Sequence, residues 1–584
     1  MTNAVLIFTF SPVQSFIAEA RRSEDLFNGS AILSRLAWAA GEAIKKSAGT
    51  LIYPADLQEH DAPNVLVARI PAEQRQEIAE NARKALLAEW QSIASKARKA
   101  ARLEEDDLWE RIWKRQIVEA PPWQIFWAVA PETDNYAQAY ETARDLLERA
   151  KRSRLFAQSE EDGEKDSLSG ARTALRTQKY ATARKYWEAM SKKPHILPSQ
   201  VRSEGRELLD GIALVKRFWE GEDPKREFPS TSTLAAWDFY LEAKASAPEE
   251  LIRYRQALES LTLYKARKQD AVFPYDGDLF FEETLTRQRM KDSYNVEVDE
   301  TALQQLRELL KKLIRKAQKS PSPYYMLIQF DGDGVGAKID HLLKDKEKAE
   351  ANHHRFSQNL ADFSRKVQEI VKPEAGGFLI YNGGDDVLFL ASREKGLELA
   401  RLLAEKYRNI VGTGLDIPAT ASAGVVMAHH LTPLARALSL MREAERSAKA
   451  GKKDDLGNKG MVCVTLAKRG GEALSALSPW EHVAQVAEWV RAFQNDEVAA
   501  VFPYLLARET AMLQDLKQEV KTSILQYLFN RHTGEKVSKD RKHELLKILT
   551  EWHKAIEEKT GVSAMGEIAR WLIIARFLAS GGAE

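Results

Sequence analysis

The sequence predicts an α+β protein in which an α/β sandwich and a ferredoxin-like sheet alternate with two mostly helical regions. Three observations lead there. The first 150 residues hold short apolar strands separated by long helical stretches. A charged, strand-poor run follows and leads into an amphipathic helix. A second group of apolar strands is then arranged around a Gly383-Gly384 dipeptide. Helices between strands suit layered α/β packing. At 584 residues the chain also exceeds the ~250–300 at which a single core stops growing, so about three to four domains are expected.

Residues 5–10 (VLIFTF) have the length and apolarity of a buried strand. Ser11-Pro12 opens the next helix, with proline where its missing N–H costs nothing. Further strands are expected at 64–70 (NVLVARI) and 124–130 (QIFWAVA). From Arg149 the composition turns charged (RAKRSRLFAQSEEDGEKDSLSG), which marks a boundary. Leu303, Leu306, Leu310 and Leu313 recur at helical spacing and predict an amphipathic helix that ends near Lys319, where Ser320-Pro321-Ser322-Pro323 breaks it. Residues 324–330 (YYMLIQF) are the next strand and run into Asp331-Gly332-Asp333-Gly334. A helix follows, then strands at 377–382 and 385–390. The Gly383-Gly384 pair between them signals a hairpin, because both residues adopt positive φ freely. A strand at 420–427, a helix at 431–450 and a strand at 461–466 complete an order read as β-α-β-β-α-β, which is ferredoxin-like. Beyond Gly471, Leu, Trp and Ala recur at helical spacing, and an all-helical region is expected. The domain spans read this way are 1–150, 151–320, 321–470 and 471–584.

Lys+Arg total 86 and Asp+Glu 85, so any contact with nucleic acid must come from local patches and not from overall charge. The one cysteine, Cys463, excludes a disulfide framework and a four-cysteine zinc site, and suits a reducing cytoplasm. The opening residues MTNAVLIFTFSPVQ lack the basic segment and long apolar run of a signal peptide. The apolar stretch 571–579 is too short to cross a bilayer and is interrupted by Arg576, so no membrane partner is expected.

In a ferredoxin-like sheet the first strand and the central hairpin are neighbours. Asp331 at the end of one, and Asp385 and Asp386 at the tip of the other, are therefore expected to converge. Hard oxygen ligands of this kind suit two Mg²⁺ or Mn²⁺ ions, which share phosphate oxygens with a nucleotide. Such a pair activates an attacking hydroxyl and neutralises a leaving pyrophosphate. Gly332 and Gly334 are expected to let backbone N–H groups approach a triphosphate at a helix N-terminus, while Gly383 and Gly384 present Asp385. Either acid-glycine turn alone is an ordinary loop. Both within one such strand order are a specific signal.

These residues resemble the palm shared by GGDEF cyclases and the large subunit of CRISPR type III effector complexes. The resemblance to the Cmr-type (type III-B) branch extends to PVQSFIAEARRSEDLFNGSAILS at 12–34, FPSTS at 228–232, YDGDLFFEE at 275–283 and AGVVMAHHLTPLARAL at 423–438. It implies two ferredoxin-like palm domains interleaved with two mostly helical domains, the first palm without GGDD and the second catalytic. It also implies a place beside other Cmr subunits, guide CRISPR RNA and target RNA. In that setting target RNA would switch on metal-dependent synthesis of a cyclic oligoadenylate, or another adenylate messenger, from ATP in antiviral defence. Three departures bear on this. The only His-Asp dipeptide, His60-Asp61, lies in a loop, so HD nuclease activity is not expected. Relatives carry cysteines in the second domain where this chain reads EKDSLSG, so no zinc is expected. The fourth motif residue is Asp386, which suits the CRISPR branch better than a diguanylate cyclase. The rivals are a free-standing GGDEF-like cyclase and a nucleotide-binding scaffold without catalysis.

Lys449 occupies the place where related cyclases hold a phosphate-contacting lysine, and is otherwise a solvated helix lysine. Asn458 lies in the segment after it. Asp333 is either an outer acid of the site or a turn residue. The tandem pairs His353-His354 and His429-His430 are read as structural, on the ground that neighbours in a strand point to opposite faces. Trp109 and Trp113, at i and i+4, are read as core. The basic run Arg531, Lys536, Lys539, Arg541 and Lys542 is read as a solvated face, with a protein or RNA contact as the alternative.

Overall fold

A computed structural model describes residues 2–153, 161–221, 228–265, 270, 272–513, 518–560 and 564–581. Residues 154–160 of the charged run taken as a domain boundary lie outside the described residues.

The first sheet comprises β1 (Asn3–Ser11), β2 (Thr50–Tyr53), β3 (Val65–Pro71) and β4 (Gln124–Pro131), in the order β2-β3-β1-β4. Each pairing is antiparallel. The period-two alternation of a strand divides β1 between two cores. Leu6, Phe8 and Phe10 face the packed helices Ser23–Lys46 and Arg75–Ala101, while Val5 and Ile7 face the helix Tyr136–Arg152. The sequence reading missed β2, whose four residues, TLIY, are too few to show a periodicity.

The second sheet is larger. It comprises β5 (Tyr324–Gly332), β6 (Gly377–Asn382), β7 (Asp386–Ser392), β8 (Ala421–His429), β9 (Met461–Ala467) and β10 (Leu474–Pro479), in the order β10-β9-β8-β5-β7-β6. Its β6-β7-β5-β8 portion repeats the order of the first sheet. A helix at Gly396–Ile410 joins β7 to β8, and the β-α-β-β-α-β reading omitted it. The ferredoxin-like unit therefore closes at β8. The parallel β9 and the antiparallel β10 extend the sheet beyond it. β10 also lies inside the span expected to be wholly helical. The chain beyond it is helical, with a one-turn start at Trp480–Gln485 followed by helices from Val486 to Ala579.

Met326, Ile328 and Phe330 face one side of the second sheet with Phe356, Phe363 and Tyr407, whereas Tyr325 and Leu327 join the core shared with the first sheet and the intervening helices. A buried ion network ties that intervening region to the Ser23–Lys46 helix. Arg217 meets Asp25 at 2.6 Å and Glu207 at 3.0 Å. Losing Arg217 would leave the buried Asp25 carboxylate without its partner charge. Trp109 and Trp113 stack in the core with centroids 5.3 Å apart, as their spacing predicts.

Candidate functional site at the β5 and β6–β7 ends

The register of β5 on β7 sets Asp331 directly opposite Asp386. The turn closes through Gly383 N–H donating to the Asp386 carbonyl at 2.8 Å, with Gly384 at φ +95°, a conformation glycine adopts without strain. The Gly332 N–H donates to the Asp385 carbonyl at 2.8 Å, fastening the two turns together. The Asp333 N–H donates to the Thr420 carbonyl at 2.8 Å. These two amides are therefore engaged within the protein, which corrects the expectation that the N–H beside Gly332 is turned toward a phosphate. Gly332 is required for a different reason: a Cβ there would lie 2.1 Å from the Tyr407 hydroxyl and 3.2 Å from the Asp385 Cβ. Gly334, at φ +62°, begins the helix Val335–Leu342.

Asp331, Asp385 and Asp386 are half-buried. Burial raises all three carboxyl groups. Asp385 is pushed up to about 6, with Asp331 adding to the effect of burial. Asp386 is driven further above the ordinary range by burial, Asp331 and Asp385. Lys449 holds Asp331 at 2.8 Å and Glu445 at 2.7 Å. Burial opposes the Lys449 charge, but these two acids outweigh it and hold the ammonium firmly protonated. Asp386 accepts a hydrogen bond from the Gln329 side chain. One ammonium among four carboxyl groups leaves a site whose electrostatic need is more positive charge. The mutual 4.8 Å spacing of a ready metal cage is not met by the three aspartates. Among the described residues it is met by Glu283, His429 and His430.

Asp333 is buried and faces away from this cluster. Its carboxylate accepts from Thr420 Oγ1 and Ser422 Oγ, each at 2.7 Å, and from the N–H groups of Lys459 and Gly460 at 3.1 and 2.8 Å. It is the peg of the 454–460 loop. Asn458 belongs to the same network, receiving the Thr420 N–H at 3.1 Å.

Four neighbours escaped the sequence reading. Tyr53, at the end of β2, donates to the Gly383 carbonyl at 3.3 Å and so brings the first sheet against the turn. Gln329 precedes Asp331 on the same strand face, a period-two signal that was there to be read. Lys338 is fully buried, donates to the Asp333 carbonyl, and is lowered to about 8 by burial. Tyr407 is buried, and its phenol is raised by burial and then by Asp385 and Asp331.

The histidine pairs are contacts between regions. His353 and His354 lie on the helix Ala349–Ile370 and not on a strand, and His353 Nδ1 meets Tyr136 Oη of the Tyr136–Arg152 helix at 2.8 Å. His429 and His430 do not point apart, because β8 ends at His429, and their rings stack at 4.8 Å. His430 Nδ1 meets Ser232 Oγ at 2.8 Å. His429 Nδ1 accepts the Leu431 N–H, which leaves its proton on Nε2, facing Glu283. Glu283 is itself paired with Arg469 at 2.8 Å. His60-Asp61 lies in the loop between β2 and β3, where Asp61 accepts from Gln368. In the basic run, Arg541 pairs with Glu497 and Glu544.

With this geometry in view, residues 324–457 match the family model of the second palm domain of Cas10/Cmr2, and residues 5–95 match that of the N-terminal region of CRISPR-associated protein Cmr2. The chain is 26% identical over 576 residues to the CRISPR system Cmr subunit Cmr2 of Pyrococcus furiosus, a match covering 83% of this chain and 63% of that protein. It thus spans less than two thirds of the length of that relative. Among solved structures, a chain of the type III-B Cmr-beta assembly in its apo state superposes with a TM-score of 0.61 at 13% identity, covering 93% of this chain and 78% of that one. The same assembly bound to cognate target RNA gives 0.64 at 14% identity, covering 93% and 80%. At these identities the likeness is one of fold. Among the described residues no helix is long and apolar enough to cross a membrane.

Proposed function

We propose that this chain, two segments of which match the Cas10/Cmr2 second palm and the Cmr2 N-terminal family models, is the large subunit of an RNA-guided type III-B effector complex. In this reading its second palm joins ATP into a cyclic oligoadenylate, or another adenylate messenger, when the complex binds target RNA. Its partners are the other Cmr subunits, guide RNA and target RNA. The fold shared with the Cmr-beta chains supports a place in such an assembly.

The observation that carries the catalytic part is the opposition of Asp331 to Asp386 beside Asp385, with the Lys449 ammonium seated on Asp331. Carboxyl groups raised by burial and mutual repulsion, facing one cation, are a donor set that fits Mg²⁺ or Mn²⁺, and Asp331, Asp385 and Asp386 are the residues that would hold them. Bound divalent ions would supply phosphate charge neutralisation and a more acidic attacking hydroxyl.

The residues present do the rest. Lys449 exchanges Asp331 for a phosphate oxygen. Gly332, Gly334, Gly383 and Gly384 let both turns pack closely on Tyr407, Leu456, Tyr381 and Leu360, and so hold the turns that a triphosphate would lie across. The first N–H groups of the Val335–Leu342 helix, which intrahelical bonding leaves without partners, face the phosphates in place of the engaged Gly332 amide. Tyr53 presents the first palm, which has no GGDD, as the surface for an acceptor ATP. The test is Asp385→Asn with Asp386→Asn in the purified complex, incubated with labelled ATP and Mn²⁺. Turnover should fall by the ~4 kcal/mol or more typical of lost electrostatic catalysis, with the circular dichroism unchanged. Wild-type turnover in the double variant would refute the assignment.

A further inference from the structure

Tyr407 lies on the Gly396–Ile410 helix, wholly buried, with its ring between Phe330 and Phe363 at centroid distances of 5.8 and 5.0 Å. Its hydroxyl has no hydrogen-bond partner among the described residues. Leaving a buried hydroxyl unpaired costs about 1–3 kcal/mol, and phenylalanine would fill the same space without that cost. The oxygen is not in an apolar void. It fills the space where a Cβ on Gly332 would stand, at 2.1 Å, and the Asp385 Cβ borders that space at 3.2 Å. The chain has thus kept a polar atom without a partner beneath Asp331-Gly332 and Asp385, and has a glycine there that leaves it room.

We propose that Tyr407 is a positioning residue of the carboxylate site, its hydroxyl donating to the Asp385 carboxylate once that group is turned to a bound divalent cation. The hydroxyl and the Asp385 Cβ border the same space beside Gly332, so a turn of the Asp385 side chain brings its carboxylate toward the hydroxyl. A cation that reorients Asp385 would bring Tyr407 the acceptor it lacks. The phenol then fixes the orientation of a ligand, the role that outer partners commonly play at metal sites. This rests on the reading of Asp331, Asp385 and Asp386 as metal ligands.

The experiment uses Mn²⁺ alone as the probe, without nucleotide, on the purified chain. Wild type, Tyr407→Phe and Asp385→Asn with Asp386→Asn are compared by calorimetric titration and by thermal melting with and without the ion. Without Mn²⁺, Tyr407→Phe should melt at or above the wild-type temperature, because it removes an unpaired hydroxyl. Its Mn²⁺ affinity should be about tenfold weaker, and its Mn²⁺-induced rise in melting temperature correspondingly smaller. A purely packing role would leave that increment unmoved. Wild-type Mn²⁺ affinity in Tyr407→Phe, alongside lost binding in the aspartate variant, overturns the Tyr407 inference and leaves the proposed function standing. Undiminished Mn²⁺ binding in the aspartate variant overturns both. A metal-free Tyr407→Phe that melts well below wild type would show that the hydroxyl has a structural partner, and also refutes the inference.

Discussion

Gly334 and Gly336 lie two residues apart at the start of the helix that follows Asp333, and alanine should act on them in opposite directions. At Gly334 the backbone sits at φ +62°, and a Cβ would lie 2.1 Å from the Leu456 carbonyl oxygen and 2.9 Å from the Gly457 Cα. Those are backbone atoms that cannot rotate aside. Left-handed backbone costs a non-glycine residue ~1–2 kcal/mol, and forcing atoms into a filled space costs ~1–3, so Gly334→Ala should destabilise the turn by ~2–5 kcal/mol. At Gly336 a Cβ meets nothing within 4 Å and the residue is helical, so alanine should stabilise by ~0.5–1 kcal/mol. A chain with several domains does not unfold in one step, so the comparison is best read locally, by hydrogen exchange of peptides covering 331–342 and 454–460. Gly334→Ala should raise exchange there at least ~30-fold, and Gly336→Ala should leave it unchanged or slower. Equal effects from the two substitutions would show that the Asp333 turn is not packed against the 454–460 loop as described.

Two other predictions concern charge. His353 is lowered to about 4 by burial, so between pH 6.5 and about 4 the unfolded chain takes up the proton first. Its contribution is present above pH 6.5 and falls as the pH drops toward 4, by up to ~3 kcal/mol, and His353→Gln should flatten the dependence of melting temperature on pH over that window. Lys449 competes with any cation for Asp331, so Lys449→Met should tighten Mn²⁺ binding without nucleotide by about fivefold, the ~1 kcal/mol of a partly exposed ion pair, while lowering ATP turnover. Titration and turnover moving the same way would refute its double role.

Much of the second sheet and its carboxylate cluster was legible because the signals are local. Asp331 and the Gly383-Gly384-Asp385-Asp386 turn follow from strand ends and glycine chemistry, and the register places Asp331 opposite Asp386. What escaped was mostly short or non-local. β2 is four residues long, and β10 follows β9 too closely to stand out from the helical pattern beyond it. The helix Gly396–Ile410, with Leu399, Leu403 and Tyr407 buried at helical spacing, is a local signal that the β-α-β-β-α-β order left no place for. Tyr53 and Tyr407 reach the turn from sequence distances at which no periodicity operates. Asp333 could be read as an outer acid or as a turn residue, and only the Thr420, Ser422 and Gly460 contacts show a buried peg. The His429-His430 reading assumed a strand that runs on past His429, where it ends.

The central claim is that target RNA, acting through the assembled complex, controls adenylate synthesis at Asp331, Asp385 and Asp386. The most direct measurement is turnover of labelled ATP with Mn²⁺ by the isolated chain, by the complex, and by the complex with target RNA. Coupling between such sites is typically ~1–3 kcal/mol, so RNA should raise turnover by about fivefold to 150-fold, with the isolated chain nearly silent. Equal turnover in all three states would contradict the account and favour a free-standing cyclase, while no turnover in any of them would favour a nucleotide-binding scaffold.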